Sequence, residues 1–209
     1  MGDRDTFEAT RKRGRPTAVE RVERRAQIVD AALPVFLDHG FGQATVDQLA
    51  AAAHVSKRTI YSYFGDKAGV FAAMVQILAT TVSSSAPDDD TLLSLATRIV
   101  YRLNSAELVG LHRLVIAESM RFPELASTLH DNGDQRHIAR LRDHIVAECG
   151  DGAASLAQSL FSLLLGEEHR RRLLGLQSAI TEADAADHAA AAIAALGLAE
   201  YAGRLRPPD

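Results

Sequence analysis

"TVDQLAAAAHVSKRTIYSYF", residues 45–64, holds two helix starts within one short span. Thr45 followed by Gln48 matches a capping box, which opens a short helix running to about Ala53. His54 and Val55 then turn the chain, and Ser56 can cap a second short helix from Lys57 to Phe64. Leu49, Ala50, Ala53, Val55, Ile60 and Phe64 fall at helical spacing on the apolar side, with Ala50 small where two helices cross closely. Two helices of about two turns each, joined by a tight turn, make a helix-turn-helix.

The flanking sequence is helical as well. A first helix is expected from about Val19 to His39, with Val22, Ile28, Ala32, Val35 and Phe36 as its buried stripe and Gly40 as its stop. Pro34 lies inside it and removes one backbone hydrogen bond, so a kink near Asp30 is expected. A fourth helix should start at Asp66 and end near the loop "SSSAPDDD", residues 83–90. Further helices are expected at about 91–105, 107–120, 123–149, 153–173 and 181–203, separated by Pro123, Gly150-Asp151-Gly152 and Gly175. Alternating strand patterns and fixed-period repeats are absent, so the expected class is all-α.

Composition agrees. The 209 residues are 47% hydrophobic and only 5% aromatic, with no Trp, and Ala and Leu dominate. A single cysteine, Cys149, excludes an internal disulfide and any multi-cysteine zinc site. The apolar runs fall short of the ~20 residues that span a bilayer. No signal peptide is evident, and a cytoplasmic protein without membrane partners is expected.

Charge is unevenly placed on this chain of net charge -4. Residues 1–65 hold ten Lys and Arg against eight Asp and Glu, whereas residues 66–209 hold 13 against 19. Within residues 11–25 the basic excess is five. A basic front on an acidic body suits contact with phosphate at one end.

The stretch "ATVDQLAAAAHVSKRTIYSYFGDKAGVF", residues 44–71, preceded by a helix ending "FLDHGF", resembles the DNA-binding domain of TetR-type transcriptional regulators. Further on, "LHRLVIAESMRFPELA" (111–126) and "LLLGEEHRRRLLG" (163–175) resemble the C-terminal domain of the AefR-like subgroup. The resemblance implies a homodimeric, effector-responsive regulator, usually a repressor, that binds a double-stranded operator. With residues 1–18 polar and read as a disordered basic arm, the expected division is a three-helix helix-turn-helix domain at 19–65 and a helical effector-binding and dimerisation domain at 66–209. His54 departs from the pattern, since the family usually has glycine at that turn. Histidine tolerates a positive φ better than most residues, so an intact turn is expected.

The second short helix turns Ile60 and Phe64 inward and leaves Lys57, Arg58, Thr59, Tyr61 and Tyr63 outward or lateral. An exposed helix start with Lys57 and Arg58 suits the major groove, where arginine bonds guanine O6 and N7 together. The resemblance implies DNA contacts at Thr59, Tyr61, Tyr63 and Lys67, and Thr45 joins these candidates. "RKRGRP", residues 11–16, ends in "RGRP", which resembles the core of an AT-hook. Arg13 and Arg15 are therefore candidates for a narrow minor groove, with an idle solvated tail as the alternative.

In the C-terminal part, an apolar effector cavity is expected with Met74, Leu78, Tyr101, His112, Ile116, Met120, Phe122 and Phe161 among its walls. His112 shares a face with Leu108, Leu111, Val115 and Ser119; it is either a core histidine with a satisfied hydrogen bond or a ligand-orienting group. His130, His137 and His144 are spaced by seven, about 10 Å apart by helix rise, too far for one ion, and a solvated face is expected. No metal, cofactor or catalysis is expected, since HExxH, phosphate-loop and nucleophile-elbow motifs are missing. "GEEHRRR", residues 166–172, reads as surface salt-linking or a dimer rim. "SLAQSLFSLLLG" (155–166) and "ADAADHAAAAIAALG" (183–197) are apolar or small nearly all round, which suits a two-fold interface. An architectural DNA binder without an effector is the alternative from another class.

Overall fold

A computed structural model describes residues 17–83 and 91–199. The arm, with Arg13 and Arg15, lies outside the described residues, as does most of the 83–90 loop. Among the described residues every regular element is helical. None of these helices is long and apolar enough to cross a membrane.

The first helix, α1, spans Ala18–Gln43 and opens with a complete capping box between Thr17 and Glu20. Its dihedrals leave the helical region at Gly40 (φ 73°), the expected stop, while Pro34 stays inside the helix next to buried Val35 and Phe36. Phe36, Phe41 and Phe71 form a buried trio with centroids 5.6 to 5.7 Å apart.

Helices α2 (Val46–Ala52) and α3 (Lys57–Phe64) follow the expected bounds closely. Thr45 accepts from the Gln48 N–H at 3.2 Å, while Gln48 Oε1 accepts from the Thr45 N–H at 2.8 Å. Ser56 caps α3 by accepting from the Thr59 N–H at 3.1 Å. Between them His54 takes φ 53°, the left-handed value that the missing glycine demanded. Leu49, Ala50, Ala53 and Ile60 close this small core against α1.

Helix α4 (Lys67–Ser83) carries the core onward, because Val70, Phe71, Met74 and Val75 are all buried. Head and body thus share one continuous apolar core across residue 65. Around it pack α5 (Leu92–Leu103), α6 (Ala106–Glu118), α7 (Pro123–Leu129), α8 (Gln135–Cys149), α9 (Ala157–Leu173) and α10 (Glu182–Ala195).

The expected helix 123–149 is instead two helices joined by a π turn, His130–Asp134, in which buried Gly133 lies against α4 at Val75. The expected helix 153–173 begins as a 3-10 turn, Asp151–Leu156, and breaks again at Gly166 (φ 53°). The histidine stripe is a solvated face only in part: His130 is exposed, 3.6 Å from Asp134, whereas His137 is 2% exposed and stacked on Phe161.

Candidate nucleic-acid interface and buried cavity

Two ties from α1 set the position of α3. Arg25 lies over the Phe64 ring at 4.9 Å and donates to the Tyr63 carbonyl at 3.4 Å. Gln27 donates to the Ala53 carbonyl at 2.9 Å, which steadies the end of α2. Neither residue stands out in the sequence, since each acts on a backbone carbonyl 26 or more positions away.

At the start of α3, Lys57 and Arg58 are both exposed, and Tyr61 projects with half its surface in solvent. Lys57 pairs with Asp47 on α2 at 2.6 Å. Thr59 is half-buried, and its hydroxyl shares a 2.9 Å hydrogen bond with that of Ser56. Tyr63 is half-buried beside Phe64, with ring centroids 6.3 Å apart. Thr45 is exposed, but its hydroxyl is engaged with Gln48. Arg58 and Tyr61 therefore project outward, with Lys57 beside them in its pair with Asp47.

Lys67 departs from the expected phosphate contact. Its ammonium donates to the carbonyls of Phe41 (2.5 Å), Ala44 (2.8 Å) and Gly42 (3.3 Å), and lies over the Phe41 ring at 4.6 Å. Three donors are matched by three carbonyls, so none is left for a phosphate. Burial lowers its pKa, opposed by the Glu118 carboxylate. Lys67 ties the end of α1 to the start of α4.

Where the cavity was expected there is only a small space of about 20 Å³, room for one or two waters. Leu78 and His112 line it, with Val75, Leu111, Asp134 and His137. The other expected wall residues lie elsewhere. Tyr101 on α5, Ile116 on α6 and Met120 just beyond α6 are 41%, 62% and 95% exposed. Met74 lines a larger groove of about 450 Å³ between α1 and α4, which Leu78 also borders. Phe161 stands behind His137. Phe122 packs edge-on against Phe41, centroids 5.1 Å apart, where body meets head.

Burial pushes His112, His137 and His169 each down to about 4, and raises the Asp134 carboxyl. His112 does not have the satisfied hydrogen bond of an ordinary core histidine, because its buried Nδ1 lacks a partner. "GEEHRRR" is only partly surface. Glu167 pairs with Arg170 at 2.7 Å in solvent, but Arg172 is buried and donates to the Ser178 carbonyl at 2.9 Å. Among the described residues no cluster of His, Cys, Asp and Glu could hold a metal ion.

Residues 28–74 match the family model of the bacterial regulatory proteins of the tetR family. Residues 90–203, more than half the chain, match that of the AefR-like transcriptional repressor C-terminal domain. The HTH-type transcriptional repressor SCO4008 of Streptomyces coelicolor is 32% identical over 118 residues, covering 56% of this chain and 59% of that protein. The chain therefore spans less than two thirds of this relative's length. A TetR transcriptional regulator from Agrobacterium tumefaciens is similar in structure, with TM-score 0.64 and 26% identity over 82% of this chain and 93% of that one. The flavonoid-responsive regulator FrrA gives TM-score 0.64 and 26% identity, over 85% of this chain and 97% of its own.

Proposed function

Since the chain belongs to the TetR family of helix-turn-helix DNA-binding regulators, with an AefR-like C-terminal domain, we propose that it is a repressor released from a palindromic operator by a small apolar ligand. The observation that carries this is the capped, exposed start of α3, where Lys57, Arg58 and Tyr61 project together. In a major groove Arg58 reads guanine edges, Tyr61 meets thymine methyls or phosphates, and Lys57 exchanges Asp47 for phosphate. Thr45, Thr59 and Tyr63 flank this set, and Arg13 and Arg15 of the arm reach the neighbouring minor groove. The head is residues 19–65 and the effector and dimer domain 66–209.

Two heads at a fixed spacing require a two-fold dimer. The outer faces of α9 and α10 suit it. Ala185, Ala189 and Ala192 turn inward, while Ala190, Ala191 and Ala194 of the same helix are exposed beside α9 with its exposed Leu163. Such small side chains let helices of two protomers approach closely. The protein works in the cytoplasm.

Release follows from α6, which carries His112 at the cavity and Glu118 at the head. Six residues of helix separate them, about 9 Å of rise. A ligand that displaces His112 shifts Glu118, which grips Gly42 at the end of α1. The heads then leave the spacing that fits successive major grooves. Similarity to a flavonoid-responsive regulator supports a small effector.

Selection of duplexes from a random pool by the purified protein tests the reading. Inverted half-sites about one helical turn apart, or a multiple of it, are expected. Equal retention of all duplexes would show an architectural binder instead.

A further inference from the structure

A polar atom enclosed in an apolar wall is unfavourable until something meets it. His112 presents that condition. Its Nδ1 is buried without a hydrogen-bond partner, and its ring lines the 20 Å³ cavity. The adjacent His169 meets it edge-on at 4.9 Å, but the His169 Nδ1 shares its hydrogen bond with Asn104 Oδ1 at 3.1 Å. Asn104 Nδ2 in turn donates to the Val100 carbonyl at 2.8 Å. This chain of bonds closes behind His112 and leaves it out.

The rest of the wall disfavours charge. Val75, Leu78, Leu103, Leu108 and Leu111 supply most of it. Burial keeps His112 and His137 neutral near pH 7 and raises the Asp134 carboxyl from its ordinary value, opposed by His130 beside it. A carboxylate ligand would lose its hydration here with no positive charge to replace it, and an ammonium would find only Asp134, which His130 already approaches at 3.6 Å.

We infer that the effector is an uncharged molecule with an apolar body and one hydroxyl, a phenol or an alcohol, whose hydroxyl pairs with His112. A neutral imidazole nitrogen accepts from such a hydroxyl in one tautomer and donates to it in the other, so either satisfies both. The inference rests on the effector reading above. Such a molecule needs more than 20 Å³, and Leu78 shows where the space comes from. This one side chain borders both the cavity and the 450 Å³ groove against α1. When it moves aside the two spaces join, and the apolar body runs from His112 past Leu78 toward Val29 and Leu33, in a groove that Asp30, Asp38, Arg102 and Glu107 also line.

Calorimetric titration of the full chain at pH 7.5 with 4-butylphenol, butylbenzene and 4-butylbenzoate tests this. The phenol should bind about tenfold tighter than butylbenzene, one hydrogen bond's worth, and the benzoate weakest. His112→Leu should bind phenol and butylbenzene alike, with circular dichroism unchanged. Leu78→Ala should tighten 4-octylphenol more than 4-butylphenol. Equal binding of phenol and butylbenzene by the natural chain, tightest binding of benzoate, or a phenol preference that survives His112→Leu overturns the hydroxyl inference while the effector reading stands. If none of the compounds binds, butylbenzene included, the cavity is not an effector site and both fall.

Discussion

The carboxylate of Glu118 accepts a 3.0 Å hydrogen bond from the backbone N–H of Gly42, joining the end of α6 to the end of α1. Gly40, two residues earlier, has φ 73°, and a methyl group there would come within 2.9 Å of Glu118 Oε1. The joint therefore needs both a glycine at position 40 and an acidic side chain at 118. Three residues on, the peptide N–H of Thr45 begins the cap of α2. It is one link between cavity-lining helices and the DNA-facing helices, another being α4, which carries Leu78 and packs directly on α3.

Glu118→Ala should leave operator affinity near its natural value while weakening release by ligand several-fold. The lost charged hydrogen bond should cost about 1.5–3 kcal/mol of stability. A double-mutant cycle with His112→Leu, read as operator release, checks the coupling: full additivity would separate the two residues.

Lys67→Met should destabilise the fold by about 1–3 kcal/mol, since three carbonyls lose their charged donor. Operator affinity should fall through disorder of the head, and the slope of affinity against salt should stay unchanged. A slope lower by about one would mean that a phosphate contact was lost after all.

Asp47→Asn should strengthen operator binding severalfold. It removes a carboxylate beside the groove and frees Lys57, whose exposed pair with Asp47 is worth no more than about 1 kcal/mol. Arg58→Ala should weaken operator binding by about 1–3 kcal/mol and relax the base preference it reads. Electrophoretic shifts on matched and mismatched operators measure both.

Acid should unfold the protein early. His112, His137 and His169 have folded values of about 4 against 6.5 in an open chain. Between these pH values the unfolded chain binds more protons, so stability is full above pH 6.5 and is lost as pH falls toward 4. Each histidine adds a slope of up to about 1.4 kcal/mol per pH unit. The raised Asp134 carboxyl acts in the opposite direction and trims the total. Urea titrations from pH 7 to 4.5 should show the loss, reduced in His112→Leu.

Removing residues 1–16 should spare folding and dimerisation and lower operator affinity. The loss should be greatest where the flanks are A·T-rich, since the narrow groove there favours Arg13 and Arg15. Binding to A·T and G·C flanks, with and without the arm, decides. Equal losses would make the arm a phosphate-seeking tail, and no loss would make it idle.

Caps and turns were legible from residue order because their partners lie three or four positions apart. Thr45 with Gln48, Ser56 with Thr59, and the left-handed His54 all act within one turn of chain. Composition and periodicity likewise led to an all-α chain, and the helix-turn-helix bounds were nearly right. The 123–149 segment was harder. Its helical pattern continues through Gly133, while the π turn that interrupts it lies against α4 at Val75.

Side chains whose partners are distant in sequence were decided by packing. Periodicity places Ile116 one turn beyond His112 on a single stripe, yet His112 reaches the cavity and Ile116 is exposed. A stripe states which residues share a face; how far along it a neighbour extends depends on other helices. Lys67 is the sharpest case, because a lysine at a helix start looks the same whether it faces phosphate or carbonyls. Folding brought the ends of α1 and α4 together there, and the unpaired carbonyls of Phe41, Gly42 and Ala44 took up its ammonium. The reason is general: helices arise from local hydrogen bonds, whereas a site depends on which unsatisfied groups meet once the helices pack.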